Sequence, residues 1–343
     1  MKIVCIYHSI DLDGWMSAAI VKHWYNKIEG LPEDDISFIG FNYGESIPDL
    51  SECDKVILVD ISFPKETMKK LSNLEDNFIW IDHHISAIKD NYFMLENGNE
   101  YIYNGMRDIQ FAACELTWKY FFPDEPIPEI VRLLGRYDCF GHKGTEEELE
   151  VLQFQYAARS FLFGVEGCYS ALINSNNNTI NKWIEIGAAI HNYLCLEAKQ
   201  SYKNGFEIRF VKNDENLCDN CNYRDTFPSC YSNKDELKFG DGLGNDNIIE
   251  CLNFEEQTMH SFGYKFICIN KERFNPINFG INYHEDGYDG VACFHYANGK
   301  WNFSLYNENG LVNCSEIAKR YGGGGHKGAA GFSVINLKVI KQF

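Results

Sequence analysis

Lys2-Ile3-Val4-Cys5-Ile6-Tyr7 runs straight into His8-Ser9-Ile10-Asp11-Leu12-Asp13-Gly14. A short apolar run rich in β-branched residues and stopped by polar ones reads as a strand buried on both faces, as in a parallel sheet. Two later stretches have the same form: Lys55 to Val59 (KVILV) ends at Asp60, and Phe78 to Ile81 (FIWI) ends at Asp82-His83-His84. Helical spacing follows the first strand from Gly14 to about Tyr25, through Met16, Ala19, Ile20 and His23. It returns after Ser62, where Pro64 suits the first helical position and Met68, Leu71 and Leu74 follow. Strand and helix signals alternate in this way to roughly residue 120, so the expected class is α/β with a parallel-sheet N-terminal domain.

The polar residues at the strand ends carry the chemistry. Ligands of open α/β sheets bind outside the carboxyl ends of the strands. His8, Asp11, Asp13, Asp60, Asp82, His83 and His84 are expected there, and a helix from Ile127 to Tyr137 would deliver Asp138. No lysine or arginine lies between them within these motifs, so the carboxylates would repel one another unless cations intervene. Carboxylate and imidazole together suit a two-metal phosphoryl site. Asp11 and Asp13 alternate, so in an extended loop each faces a different metal, and Asp60 is placed to bridge. Singly, a buried aspartate is more often a cap and a histidine a structural residue. The combination points to an enzyme.

Composition narrows the substrate. The chain has 343 residues, enough for two or three domains, with 45% hydrophobic residues and a formal charge of -18. An evenly acidic surface holds long duplex nucleic acid poorly, whereas a small anion can still be taken at one locally inverted site. No run of about 18 apolar residues is present to span a membrane, and the first apolar run is broken too early for a signal peptide. The 13 cysteines are scattered, often within apolar runs, which favours reduced thiols and a cytoplasmic location.

Beyond Gly205 the texture turns β-rich. Val291 to Tyr296 and Trp301 to Tyr306 flank Asn298-Gly299, a hairpin signal, and Phe266 to Asn270 and Phe279 to Tyr283 supply further strands. Ile180 to Tyr202 reads as a connecting helix, with an ordinary core helix as the alternative. The expected domains are therefore 1–180, a linker helix over 181–204, and a smaller mixed α/β domain over 205–343 with an insertion at about 211–260. Within that insertion Cys218, Cys221, Cys230 and Cys251 could hold a structural zinc, the alternative being a loop of free thiols. Phe279, Tyr283, Tyr296 and Tyr306 are expected in the core at strand spacing rather than at the site.

Gly322-Gly323-Gly324-Gly325-His326-Lys327-Gly328-Ala329-Ala330-Gly331-Phe332 exceeds the single glycine that a helix end requires. Without Cβ atoms such a backbone can approach a phosphate or sugar and present its N–H groups. With Asp82-His83-His84, this segment makes the chain resemble the DHH phosphoesterase superfamily, in the branch with the DHH-associated C-terminal domain. That branch holds RecJ-type exonucleases, oligoribonucleases (nano-RNases), pAp phosphatases and cyclic-dinucleotide phosphodiesterases. Family II pyrophosphatases carry a different C-terminal motif. The resemblance covers roughly residues 1–150 and 262–335.

The resemblance implies one metal on His8, Asp11 and Asp60 and a second on Asp13, Asp60, His83 and Asp138. Manganese would be the usual ion, with magnesium an alternative. Many members place the histidine four residues before the first aspartate, whereas His8 lies three before Asp11. His84 would contact the scissile phosphate, and Asp82 would anchor the triplet. Gly323, Gly324, Gly325, His326 and Lys327 would hold the terminal phosphate or base. The implied activity is hydrolysis of short RNA oligonucleotides or dinucleotides to 5′-mononucleotides by a hydroxide activated between two metals, in a cleft between the domains. Cleavage of cyclic dinucleotides or of the 3′-phosphate of pAp are the enzymatic alternatives, and an inactive nucleotide sensor is the alternative of another kind. A homodimer is compatible with this reading.

Overall fold

The three apolar runs become parallel neighbours because each is apolar on both faces and is covered on both. The computed structural model describes residues 2–30, 35–94, 98, 100–211, 263–272, 275–308 and 310–335. Within the first unit, Met1–Asn192, β1 (Ile3–His8), β2 (Ile36–Phe41), β3 (Lys55–Val59) and β4 (Phe78–Ile81) form a parallel sheet in the order β2-β1-β3-β4. Ile3, Cys5, Ile57, Val59, Ile79 and Ile81 face one core. Val4, Ile6, Val56, Leu58, Phe78 and Trp80 face the other. The period of two along each strand thus sends alternate side chains into two separate layers.

Helices supply those layers. α1 (Leu12–Trp24) packs its small and apolar residues Met16, Ala18, Ala19, Ile20 and Val21 into the first core, against α4 (Ala113–Phe121) and α7 (Gly164–Asn174). α5 (Glu129–Asp138) and α6 (Glu148–Phe161) extend that layer. Met68 and Leu71 of α2 (Lys65–Leu71) and Ala87 of α3 (Ile85–Asp90) cover the other face. Pro64 caps α2 in an extended conformation, φ -54° and ψ 145°, one position ahead of the expected first helical residue. The chain passes from β1 outward to β2 and then returns to β3 on the other side of β1. That reversal makes a topological switch point at the carboxyl ends of β1 and β3, the position at which such sheets bind ligands.

The long α8 (Asn177–Lys203) begins in this unit, and the second unit comprises Tyr193–Phe343. Its sheet has the order β5-β6-β7-β8-β10-β9, formed by β5 (Phe206–Val211), β6 (Gly263–Asn270), β7 (Gly290–Ala297), β8 (Lys300–Tyr306), β9 (Gly324–Gly325) and β10 (Ala329–Val334). Only β6 and β7 pair in parallel; the other neighbours are antiparallel. α9 (Cys314–Arg320) lays Ile317 and Ala318 on one face, over Phe266, Phe303, Leu305 and Phe332. The Asn298-Gly299 turn has φ of 53° and 75° and joins β7 to β8, the geometry that this dipeptide favours.

Two expectations fail here. Phe279 to Tyr283 is not a strand: a 3-10 turn ends at Phe279, and Gly280 turns the chain with φ 70°. Phe279 and Tyr283 are buried even so, because aromatic side chains can fill a core from a turn as well as from a strand. Tyr296 is 60% exposed rather than core, since β7 turns it outward, where it meets Trp301. Most of the expected insertion lies outside the described residues, and so do Cys218, Cys221, Cys230 and Cys251. The described cysteines form no disulfide, and no described helix is long and apolar enough to cross a membrane.

Candidate active site

The turn from β1 into α1 is tighter than any side chain would allow at its apex. A Cβ on Gly14 would lie 2.1 Å from the His8 carbonyl oxygen, so only glycine lets the helix start this close to the strand end. Asp11 caps α1, its Oδ1 accepting from the Gly14 N–H at 3.0 Å. Asp13 points across the sheet, where its carboxylate oxygens accept from the N–H groups of Ala113 at 2.9 Å and Cys114 at 2.7 Å, at the start of α4. Those amides belong to the first turn of α4, where helix N–H groups have no partner within the helix.

Asp60 follows β3 with φ 60°, in the left-handed region that few non-glycine residues adopt and aspartate tolerates better than most. Its N–H donates to the Ile81 carbonyl at 2.9 Å, which fixes the turn, and its side chain is 1% exposed. Asp82 behaves differently. It is fully buried and turned inward, accepting at Oδ1 from the His83 and His84 N–H groups at 2.7 and 3.0 Å. The same oxygen lies 2.8 Å from His84 Nδ1, while Oδ2 accepts from the Trp80 indole at 3.3 Å. The first member of the triplet therefore aims the other two.

These side chains converge. His8 Nδ1 lies 2.7 Å from Asp11 Oδ2 and 3.4 Å from Asp60 Oδ2. His83 Nε2 lies 3.6, 3.5 and 3.3 Å from Asp13, Asp60 and Asp138, the last at the end of α5. His84 Nδ1 is 3.7 Å from Asp60 Oδ1. Ligand atoms of His8, Asp11 and Asp60 all lie within 4.8 Å of one another, as do those of Asp13, His83 and Asp138 and those of Asp60, His83 and His84. Asp60 thus belongs to two of the three groups.

Electrostatics at this cluster are unfavourable for the protein alone. Burial, then the charges of Asp13 and Asp11, raise the Asp60 carboxyl well above the usual carboxylate range. Burial and Asp13 do the same to Asp138. Burial works to lower His8, but Asp11 and Asp60 outweigh it and lift the imidazole to about 10. Against the same opposing burial, Asp13 and Asp138 raise His83, and Asp82 and Asp60 raise His84. His8 Nδ1, Asp60 Oδ1 and His83 Nε2 are buried and close to these partners, yet no hydrogen bond of proper geometry satisfies them. Buried polar atoms left so are expensive unless something else engages them. Oxygen and imidazole donors in small overlapping groups fit divalent cations such as manganese or magnesium.

In the second unit the glycine segment has several structural demands. Gly322 has φ 75° and its N–H donates to Lys319 O at 3.1 Å, while Gly323 N–H donates to Ala318 O at 2.9 Å. This pair of bonds closes α9 as a Schellman cap. A Cβ on Gly323 would lie 2.0 Å from Gly331 O, and one on Gly325, whose φ is 137°, would lie 2.6 Å from Ala330 Cα. Gly324 has open space around its Cβ position. His326 and Lys327 are exposed at the turn between β9 and β10, closed by His326 N–H to Ala329 O at 2.7 Å. A cleft of about 520 Å³ on this unit is lined by Lys300, Asn302, Gly322, Gly323 and Ser333, with Phe303 and Phe332 among its walls.

Sequence reasoning passed over one neighbour of the acid cluster. Tyr43 follows β2, and its ring centroid lies 6.2 Å from that of His8. Enclosure of its hydroxyl end, followed by the charge of Asp82, pushes the phenol up to about 12, with Ser62 acting in the opposite sense. The signal was available in Ile36 to Phe41, an apolar-rich run ending at the same edge as the other strands.

Residues 2–134 match the family model described as DHH family, N-terminal domain. An uncharacterised protein of Acanthamoeba polyphaga mimivirus, R106, is 22% identical over 351 residues, spanning 99% of this chain and 69% of its own length. A pGpG-specific phosphodiesterase of Vibrio cholerae, PggH, aligns over 97% of this chain and 93% of its own at 12% identity and TM-score 0.46. An exopolyphosphatase-related protein from Bacteroides fragilis aligns over 98% and 88% at 13% identity and TM-score 0.46. Asp82-His83-His84 follows β4 inside the span that matches this family model, so the likeness to the DHH family lies in the N-terminal part of the chain.

Proposed function

We propose that this chain is a metal-dependent phosphodiesterase that hydrolyses short RNA oligonucleotides or dinucleotides to 5′-mononucleotides. The observation that carries the reading is the convergence of the buried, unsatisfied atoms His8 Nδ1, Asp60 Oδ1 and His83 Nε2 among carboxylates that repel one another. His8, Asp11 and Asp60 would hold one divalent cation; Asp13, His83 and Asp138 would hold a second, with Asp60 shared. Such cations, manganese or magnesium, would supply an activated water at neutral pH and charge stabilisation at the phosphoryl oxygens.

The chain's own residues do the rest. Asp82 fixes the imidazoles of the triplet through backbone and side-chain contacts, so the orientation of His84 is set before substrate arrives. His84 contacts the scissile phosphate. Asp13, held by two α4 amides, anchors the cluster to the helix layer. His326 and Lys327, with Gly323 to Gly325, contact the terminal phosphate or base. The formal charge of -18 favours a short substrate over a polymer.

Purified protein with manganese is incubated with pApA, c-di-AMP and pAp, and the products are separated. Release of AMP from pApA at the highest rate supports the reading. Preference for c-di-AMP or pAp replaces it with cyclic-dinucleotide or 3′-phosphate hydrolysis. Failure to turn over any phosphoester, with metal bound, removes the enzyme reading and leaves a nucleotide sensor.

A further inference from the structure

We propose that Tyr43 is a specificity-determining residue whose exposed ring stacks on the base of the nucleoside adjoining the scissile phosphate. The inference rests on the phosphodiesterase reading and adds to it the group that selects nucleotides over base-free phosphoesters. Position comes first. β2 pairs with β1 so that Phe41 lies beside His8, and the Ser9 N–H donates to Phe41 O at 3.1 Å. Tyr43, two residues further on, therefore sits over the edge of the acid cluster.

The backbone of the residue is held by its turn. Its N–H donates to Asn42 Oδ1 at 2.8 Å, within a turn in which Asn42 N–H donates to Glu45 Oε2 at 2.9 Å and Gly44 takes φ 90°. Its hydroxyl end lies toward Ser62, two residues after Asp60. The ring is tilted 56° to the His8 imidazole and remains 53% exposed. It belongs to none of the hydrophobic clusters of the described residues. An aromatic side chain that rises from a fixed turn, joins no core and borders a phosphate site is a ready stacking surface, and stacking is tolerant of base identity.

Calorimetry on the manganese-loaded protein tests this with adenosine 5′-monophosphate and ribose 5-phosphate, which differ only in the base. The wild type should bind the nucleotide about 5- to 150-fold more tightly, the range for one stacked base. Tyr43→Ala should bring that ratio close to unity while leaving ribose 5-phosphate affinity unchanged, and Tyr43→Phe should preserve it. A wild-type ratio of one, an unchanged ratio in Tyr43→Ala, or equal loss for both ligands overturns the proposal. Retained affinity for ribose 5-phosphate also shows that the variant is folded. Turnover of pApA is measured alongside. An active enzyme whose base preference ignores Tyr43 sinks this inference alone. A base preference that depends on Tyr43 in a protein without phosphoester turnover sinks the hydrolase reading alone.

Discussion

The carboxyl end of the parallel sheet and the glycine-rich hairpin both carry the sequence marks of phosphate chemistry, and they treat their polar atoms in opposite ways. At the sheet, carboxylates and imidazoles are gathered with buried atoms unsatisfied and ionisation opposed by neighbours. At the hairpin, the Gly322 and Gly323 amides are spent on the α9 cap, and Gly323, Gly325 and Gly331 make room for neighbouring backbone. The first region leaves polar atoms without partners as folded. The second is largely complete as folded, so a glycine run is weaker testimony to binding than the same number of converging acids.

The largest effect expected from breaking this contrast is at Asp60. Asn tolerates the left-handed backbone, so Asp60→Asn removes the charge without adding strain. Phosphodiesterase activity should fall by about three orders of magnitude, the loss of roughly 4 kcal/mol of transition-state stabilisation. The metal-free variant should melt no lower than the wild type, because one of several mutually repelling carboxylates has gone. Manganese should raise the melting temperature of the wild type far more than that of the variant. A destabilised metal-free variant would show that the cluster is an internal structural network.

Next come the glycines, compared by urea denaturation. Gly323→Ala forces a Cβ against Gly331 O and should cost about 3 kcal/mol. Gly322→Ala keeps the space but not the left-handed preference and should cost about 1 kcal/mol. Gly324→Ala meets nothing and should stay within about 0.5 kcal/mol of wild type. A raised KM in this last variant, with stability intact, would assign Gly324 to substrate. Equal stability for the Gly323 and Gly324 variants would contradict the structural account of the run.

The smallest effect separates two kinds of histidine. His142 is 1% exposed with its Nδ1 2.8 Å from Arg136 O, and burial lowers its pKa. Between its folded value and the ordinary value of about 6.5, the unfolded chain binds the proton and the folded chain does not. Its contribution is therefore complete above about 6.5 and is lost as pH falls through the folded value. His8, His83 and His84, raised instead, act with the opposite sign in the metal-free protein. The urea midpoint of His142→Gln should thus fall less steeply than that of the wild type between pH 7.5 and 5.5. Parallel slopes would contradict this.

The strand ends were legible because β1, β3 and β4 are buried on both faces and present unbroken apolar runs stopped by polar residues. β2 escaped notice because Ser37 and Gly40 interrupt the run and its middle is partly exposed. With it went Tyr43. Asp138 was legible because α5 has strong helical spacing and ends there. The partners of Asp13 were not, since the α4 amides that bind it lie 100 and 101 residues away and spacing encodes no such distance. Phe279 to Tyr283 misled because aromatic composition reports burial rather than backbone direction.

The grip of the α4 amides on Asp13 bears on how any mutational survey of this pocket should be read. Alanine at position 13 would strip two buried backbone donors of their acceptor and loosen a helix packed against α1, whatever it does to cation affinity. Inactivity in that variant would confound misfolding with a missing ligand. Asp138, whose side chain is 31% exposed at a helix end, offers the cleaner knockout, and a survey that treats the two aspartates as equivalent would overstate the chemical role of the first.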